Sequence, residues 1–274
     1  MMTESNASAI RLENVSLALG GRPILEDLSL EIPAAQVTAV MGPSGAGKTT
    51  VMRLITGQLK PDKGSVWLGE TRVDTLKPRE LNRLRKNIGV LLQNGALFTD
   101  LTVFDNVALP LREHSGLPEA LIRRIVLLKL QTVGLRGAAD LYPRELSGGM
   151  NRRVAMARAM ALDPDLMLYD EPFAGLDPIS LGVSLRLIRD VNEALGTTSV
   201  VITHDVGEVA KLADLVCIIA DRKLVASGSP SELDQSDHPL VRQFVDGLPD
   251  GPVPFHYPAP PLATDMQTGR EHAR

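Results

Sequence analysis

The stretch VTAVMGPSGAGKTT, residues 37–50, restricts the fold more than any other part of the chain. An apolar run ends in glycine, the spacing G-x-x-x-x-G-K-[ST] fills residues 42–49, and helical spacing follows to about residue 58. That order predicts a buried parallel strand, a tight loop, and a helix whose N-terminus points at an anion. Gly42, Gly45 and Gly47 allow the backbone to turn its N–H groups toward phosphate oxygens. Pro43, Ser44 and Ala46 complete the curl. Lys48 is expected to bridge β- and γ-phosphates, Thr49 to offer its hydroxyl to Mg2+, and Thr50 to reach the α-phosphate.

The rest of the chain must supply a sheet for that strand. IRLENVSLAL and ILEDLSLEI alternate apolar and polar residues around GGRP, a strand–turn–strand pattern. GSVWLG, IGVLLQ, LMLYD, SVVITH and DLVCIIA read as further strands, with helices over about 180–195 and 206–212. Strand–helix alternation predicts an α/β fold with a mostly parallel core sheet and an antiparallel β subdomain. Helical spacing prevails from about 94 to 163, which reads as an inserted helical subdomain. We assign residues 1–245 to one ATPase-type domain and the proline- and glycine-dense residues 246–274 to an extended tail. That composition is incompatible with regular helix or central strand. Val253, Phe255 and Tyr257 alternate within the tail, flanked by Pro254 and Pro258, as in a stiff segment suited to docking on a partner subunit.

A phosphate loop also needs acids. LMLYDE, residues 166–171, is an apolar strand ending in two carboxylates, which repel one another and resist burial. Asp170 suits the Mg2+ shell, and Glu171 suits a general base acting on the attacking water. His204, after SVVIT, sits where α/β folds bind ligands and can sense a γ-phosphate. Gln93, ending IGVLLQ, can reach Mg2+ or the attacking water.

RELSGGMNRR, residues 144–153, holds a second anion loop before a helix. One loop leaves a γ-phosphate open on one side. Two copies of the chain, head to tail about a two-fold axis, would put Ser147, Gly148 and Gly149 of each over the phosphate loop of the other.

GPSGAGKT, Gln93, LSGGM, LMLYDE, AGLD and His204 follow one another as in the ATPases of ABC transporters, and the chain resembles that family over residues 10–245. The resemblance implies ATP and Mg2+ as ligands and a homodimer in which Ser147 and Gly149 act in trans. It also implies that Asp177 lies between the paired sites, Glu171 is the catalytic base, and Lys48 and His204 stabilise charge. Two positions depart from the family pattern: Leu19 stands where an aromatic usually stacks on adenine, and Met150 where the signature usually has Gln. NGALFTDLTVFDNV and the tail VRQFVDGLPDGPVPFHYP resemble the ATPases of phospholipid transporters that maintain lipid asymmetry in double-membraned bacteria. That implies a peripheral protein on the cytoplasmic face of the inner membrane. Its partners would be integral-membrane permease subunits, a small STAS-domain protein and a periplasmic MCE lipid-binding subunit. An ABC ATPase for another small-molecule cargo, or a soluble non-transport ABC protein, is the alternative.

Composition removes other classes. A net charge of −4 and 3% aromatic residues give no basic face and no stacking platform, so no nucleic-acid partner is expected. The single cysteine, Cys217, excludes an intrachain disulfide and reads as a buried small hydrophobe. No apolar run reaches the roughly 18–20 residues of a membrane span, and the first ten residues lack the pattern of a secretory signal.

Overall fold

The computed structural model describes residues 8–253, 261, 263–264 and 266. They fall into two compact units, one ending at Leu233 and the other beginning at Asp234. In chain order the strands are β1 (Ser8–Leu19), β2 (Arg22–Pro33), β3 (Val37–Met41), β4 (Lys63–Leu68), β5 (Thr71–Arg72), β6 (Ile88–Leu91), β7 (Leu166–Asp170), β8 (Thr198–Ile202), β9 (Leu215–Ala220) and β10 (Lys223–Gly228). The helices are α1 (Lys48–Ile55), α2 (Pro78–Arg85), α3 (Val103–His114), α4 (Glu119–Thr132), α5 (Gly148–Ala159), α6 (Pro178–Leu195), α7 (Val206–Leu212), α8 (Pro230–Asp234) and α9 (Pro239–Asp246).

Two sheets form. The six-stranded sheet has the order β10-β9-β3-β8-β7-β6, and every neighbouring pair except β10–β9 is parallel. The four-stranded sheet, β2-β1-β4-β5, is antiparallel. β3 and β8 are buried at every position, as strands covered on both faces must be. Their alternate side chains enter two separate cores. Val37, Met167, Tyr169 and Val201 join a core built with α3, α4, α5 and α6. Val40, Leu168, Val200, Ile202 and Cys217 join one built with α1 and the antiparallel sheet. The period of two in each strand thus separates the helical layer from the β layer.

Several local readings need correction. The first helix stops at Ile55, not near residue 58, because Gly57 takes a left-handed φ of 62° that ends the turn. β6 ends at Leu91, so Gln93 lies in the following loop. The proline-rich tail was expected to exclude helix, yet Ala263, Thr264 and Met266 are helical. There Pro261 accepts from the Thr264 N–H at 2.8 Å, and a proline at the start of a helical turn removes no bond that the turn requires. Within the second unit, Gln243 both donates to Val253 O (2.9 Å) and accepts from Val253 N–H (2.8 Å). The expected anchors Phe255 and Tyr257 lie outside the described residues. Among the described residues no helix is long and apolar enough to cross a membrane.

Candidate functional site

Parallel pairing brings the chemistry to one edge of the sheet. Val40 pairs with Ile202, Ile202 with Asp170, and Tyr169 with Leu91. The residues immediately beyond these positions are Gly42, Thr203–His204, Glu171 and Gln93. Four loops therefore leave the carboxyl ends of four adjacent strands side by side, where open α/β sheets bind ligands.

The first loop is built around glycines that no other residue could replace. Gly42 has φ 142°, and a Cβ there would lie 1.9 Å from the carbonyl oxygen of Ile219. Gly47 has φ 98°, and its Cβ would meet Leu25 at 2.7 Å. Gly47 opens α1 without any side-chain cap, so the first N–H groups of the helix face the loop unclaimed. Lys48 folds back, its Nζ donating to Gly42 O (2.7 Å) and Pro43 O (3.1 Å). Burial pushes the Lys48 ammonium below its usual pKa, and the nearby Glu171 and Asp170 carboxylates oppose that shift. Ser44, Gly45 and Thr49 are exposed, Pro43 and Thr50 half-buried, and Ala46 buried.

The two acids differ. Burial, followed by the Glu171 charge, pushes the Asp170 carboxyl above its ordinary range, against the pull of Lys48 and Arg53. Such a carboxyl gains from a nearby cation. Glu171 has a left-handed φ of 48°, a costly conformation for a non-glycine residue. It is held there by its N–H, which donates to Ile202 O at 2.8 Å, and by His204, whose Nδ1 lies 2.9 Å from Oε1. His204 is otherwise exposed, leaving Nε2 free to face an incoming group.

Ser147 caps α5, its Oγ accepting from Met150 N–H at 3.3 Å, so the half-buried Met150 keeps the cap without a side-chain polar group. Gly148 and Gly149 form the first turn, and a Cβ at Gly149 would lie 2.8 Å from Ser180 Oγ. Asp177 has a structural task that its sequence context did not disclose: it caps α6 by accepting from the Ile179 and Ser180 N–H groups, both at 3.0 Å. Hydrogen bonding from Ser180, first its side chain and then its backbone, holds the Asp177 carboxyl below the usual range. Leu19 ends β1 with 39% of its surface exposed.

Sequence reasoning missed two arginines of α5. Arg152 donates to the carbonyls of Gln93, Pro172 and Ala174, and Arg158 to those of Gly95 and Ala96. Their acceptors are backbone oxygens, which have no signature in a sequence. In NRRVAMAR they look like the exposed face of a helix.

The sheet edge thus combines a phosphate cradle, a buried lysine, a carboxyl that favours a cation, and a carboxylate aligned by histidine. This set can bind a triphosphate and activate water against it. Residues 25–174 match the family model for the ABC transporter. The chain is 51% identical, over 98% of its length and all of the relative's, to the intermembrane phospholipid transport system ATP-binding protein MlaF of Escherichia coli K12. It is 54% identical to MlaF of Haemophilus influenzae, over 93% of this chain and 96% of that one. Among solved structures it resembles the dimeric post-hydrolysis state of the ATP-binding cassette MJ0796 bound to ADP and phosphate, with a TM-score of 0.73 and 30% identity over 81% of this chain and 98% of that chain. The family match contains the loop at 42–49 and both acids, and half of all positions are shared end to end with named relatives; this chain belongs to the ABC transporter family, as an ATPase.

Proposed function

We propose that this protein is the ATP-hydrolysing subunit of a transporter that moves phospholipids between inner and outer membranes. Similarity to a phospholipid-transport ATPase over 98% of the chain, tail included, carries this reading, because the nucleotide site alone would suit many cargoes. In this reading residues 1–245 are the ATPase domain, with residues 94–163 its helical part and 246–274 a tail that clasps a second subunit.

The subunit works as a homodimer. Residues 42–50 hold the phosphates of ATP, and Lys48 Nζ moves from the carbonyls of Gly42 and Pro43 onto the β- and γ-phosphates. Ser147, Gly148 and Gly149 of the second subunit close the other side, with Asp177 between the paired sites. Thr49, Gln93 and Asp170 would hold Mg2+. The raised Asp170 carboxyl fits that assignment, since a divalent cation would relieve the repulsion from Glu171. When bound, Mg2+ supplies charge neutralisation on the phosphate oxygens. Glu171 takes a proton from the attacking water, and His204 keeps its carboxylate aimed. Closure of the dimer moves a permease, and hydrolysis reopens it.

A groove of about 700 Å³ supports a permease contact. It lies between the β6–α2 edge and α3, lined by Arg85, Val90, Phe98, Leu109, Glu113 and Arg158. Phe98, 49% exposed, belongs to the loop that begins at Gln93, so a segment seated there would touch the γ-phosphate side of the site. On this reading the chain sits peripherally on the cytoplasmic face of the inner membrane. STAS-domain and periplasmic MCE subunits complete the assembly.

The test is transfer of labelled phospholipid between vesicles carrying the reconstituted complex. ATP-dependent transfer that is lost with Glu171→Gln is expected. A complex that hydrolyses ATP normally yet moves no phospholipid in either direction would overturn the cargo assignment.

A further inference from the structure

Arg152 makes contacts that neither phosphate loop requires. It lies in α5, five residues after Ser147. Its Nη1 donates to Pro172 O (2.8 Å) and Ala174 O (2.9 Å), and its Nη2 to Gln93 O (2.9 Å). One planar fork therefore joins the loop that carries Gln93 to the loop that begins at Glu171. Both are held on the helix that Ser147 caps. A lysine, with one nitrogen on a flexible stem, could not span the two loops in this way.

The arrangement is a poor source of stability. Burial pushes the guanidinium below its ordinary pKa, with no carboxylate relieving it. A buried charge satisfied by neutral carbonyls recovers little of its desolvation cost. What the fork does supply is fixed geometry between three chain segments. The Glu171 loop needs such a holder, because Glu171 itself sits at φ 48°.

We propose that Arg152 is a positioning residue that couples the Ser147 cap to Glu171 and Gln93 of its own subunit. A phosphate that draws in the start of α5 moves the guanidinium, and with it both loops. Hydrolysis at a subunit's own phosphate loop then depends on engagement of its cap at the opposite site. This inference rests on the reading, given above, that Ser147 acts across a dimer.

The experiment uses the full chain with Arg152→Met and Arg152→Lys, and Ser147→Arg alongside. Both Arg152 variants are expected to bind ATP with Kd and KM within about twofold of the unchanged protein, while kcat falls about tenfold or more for Met and less for Lys. Their ATP-bound dimers should dissociate more slowly, in step with kcat, because hydrolysis ends the dimer's life. A merely structural role would weaken ATP binding and shorten that life, and this result would overturn the proposal. So would unchanged kcat in both variants. Should Arg152→Met fail to fold, Arg152→Lys decides alone by the same measurements. Normal ATP-driven dimerisation by Ser147→Arg refutes the cap reading itself. Blocked dimerisation there, with unchanged kcat in the Arg152 variants, refutes only the coupling.

Discussion

Replacing Glu171 by Gln separates the shape of the site from its chemistry. Gln keeps the size, the φ of 48° and the backbone bond to Ile202 O, and its side-chain oxygen can still accept from His204 Nδ1. Only the proton acceptor and one negative charge are lost. General-base catalysis contributes about 10²–10⁴-fold, so kcat should fall by that factor, or about 2.7–5.5 kcal/mol on the barrier. ATP-bound dimers should accumulate. The lost charge has a second, independent signature. Glu171 raises the Asp170 carboxyl, so Glu171→Gln should lower it. A carboxyl raised by folding binds more protons in the native state, so stability falls as pH rises from 3.8 through its folded pKa. The variant should lose less stability across that window and be the more stable protein at neutral pH. The assays are phosphate release by the assembled protein and denaturant midpoints without nucleotide across pH. A kcat within threefold of the unchanged chain, with intact assembly, would refute the base assignment (general-base losses begin near a hundredfold). A neutral-pH midpoint below that of the unchanged chain would refute the electrostatic account of the two acids.

Two further substitutions probe the fold around the site. Gly42→Ala drives a Cβ to 1.9 Å from Ile219 O and should cost more than about 3 kcal/mol, whereas Gly20→Ala, at φ 57° in open space, should cost about 1 kcal/mol. Thermal melts that rank the two the other way would contradict the close approach of the loop to β9. Burial pushes the Cys217 thiol up to about 11, partly offset by Ser227. Native protein at pH 8 should therefore resist alkylation until it unfolds, and stability held by the neutral thiol should be lost as pH climbs from 9.0 toward 11. Rapid labelling of folded protein would show that Cys217 is accessible.

Much of this protein was legible as a string because its chemistry is local. The loop at 42–49 needs glycines at fixed offsets to turn N–H groups inward, and those offsets survive any packing. The strand endings that carry Asp170, Glu171 and His204 were legible for a similar reason: an apolar run of four or five residues followed by a polar pair marks the carboxyl end of a buried strand. Other features depended on neighbours distant in the chain. The sheet order β9-β3-β8-β7-β6 brings together strands up to about 180 residues apart and was set by which apolar faces fit. The left-handed φ of Glu171 comes from its bond to Ile202 O and its contact with His204, neither a property of the DE pair. Arg152 and Arg158 read as solvated helix, because the carbonyls that receive them are brought to α5 only by packing. Residue types at short spacing report on what a segment can bind. Where a backbone oxygen ends up, and which cation it holds, is decided only when the chain closes on itself.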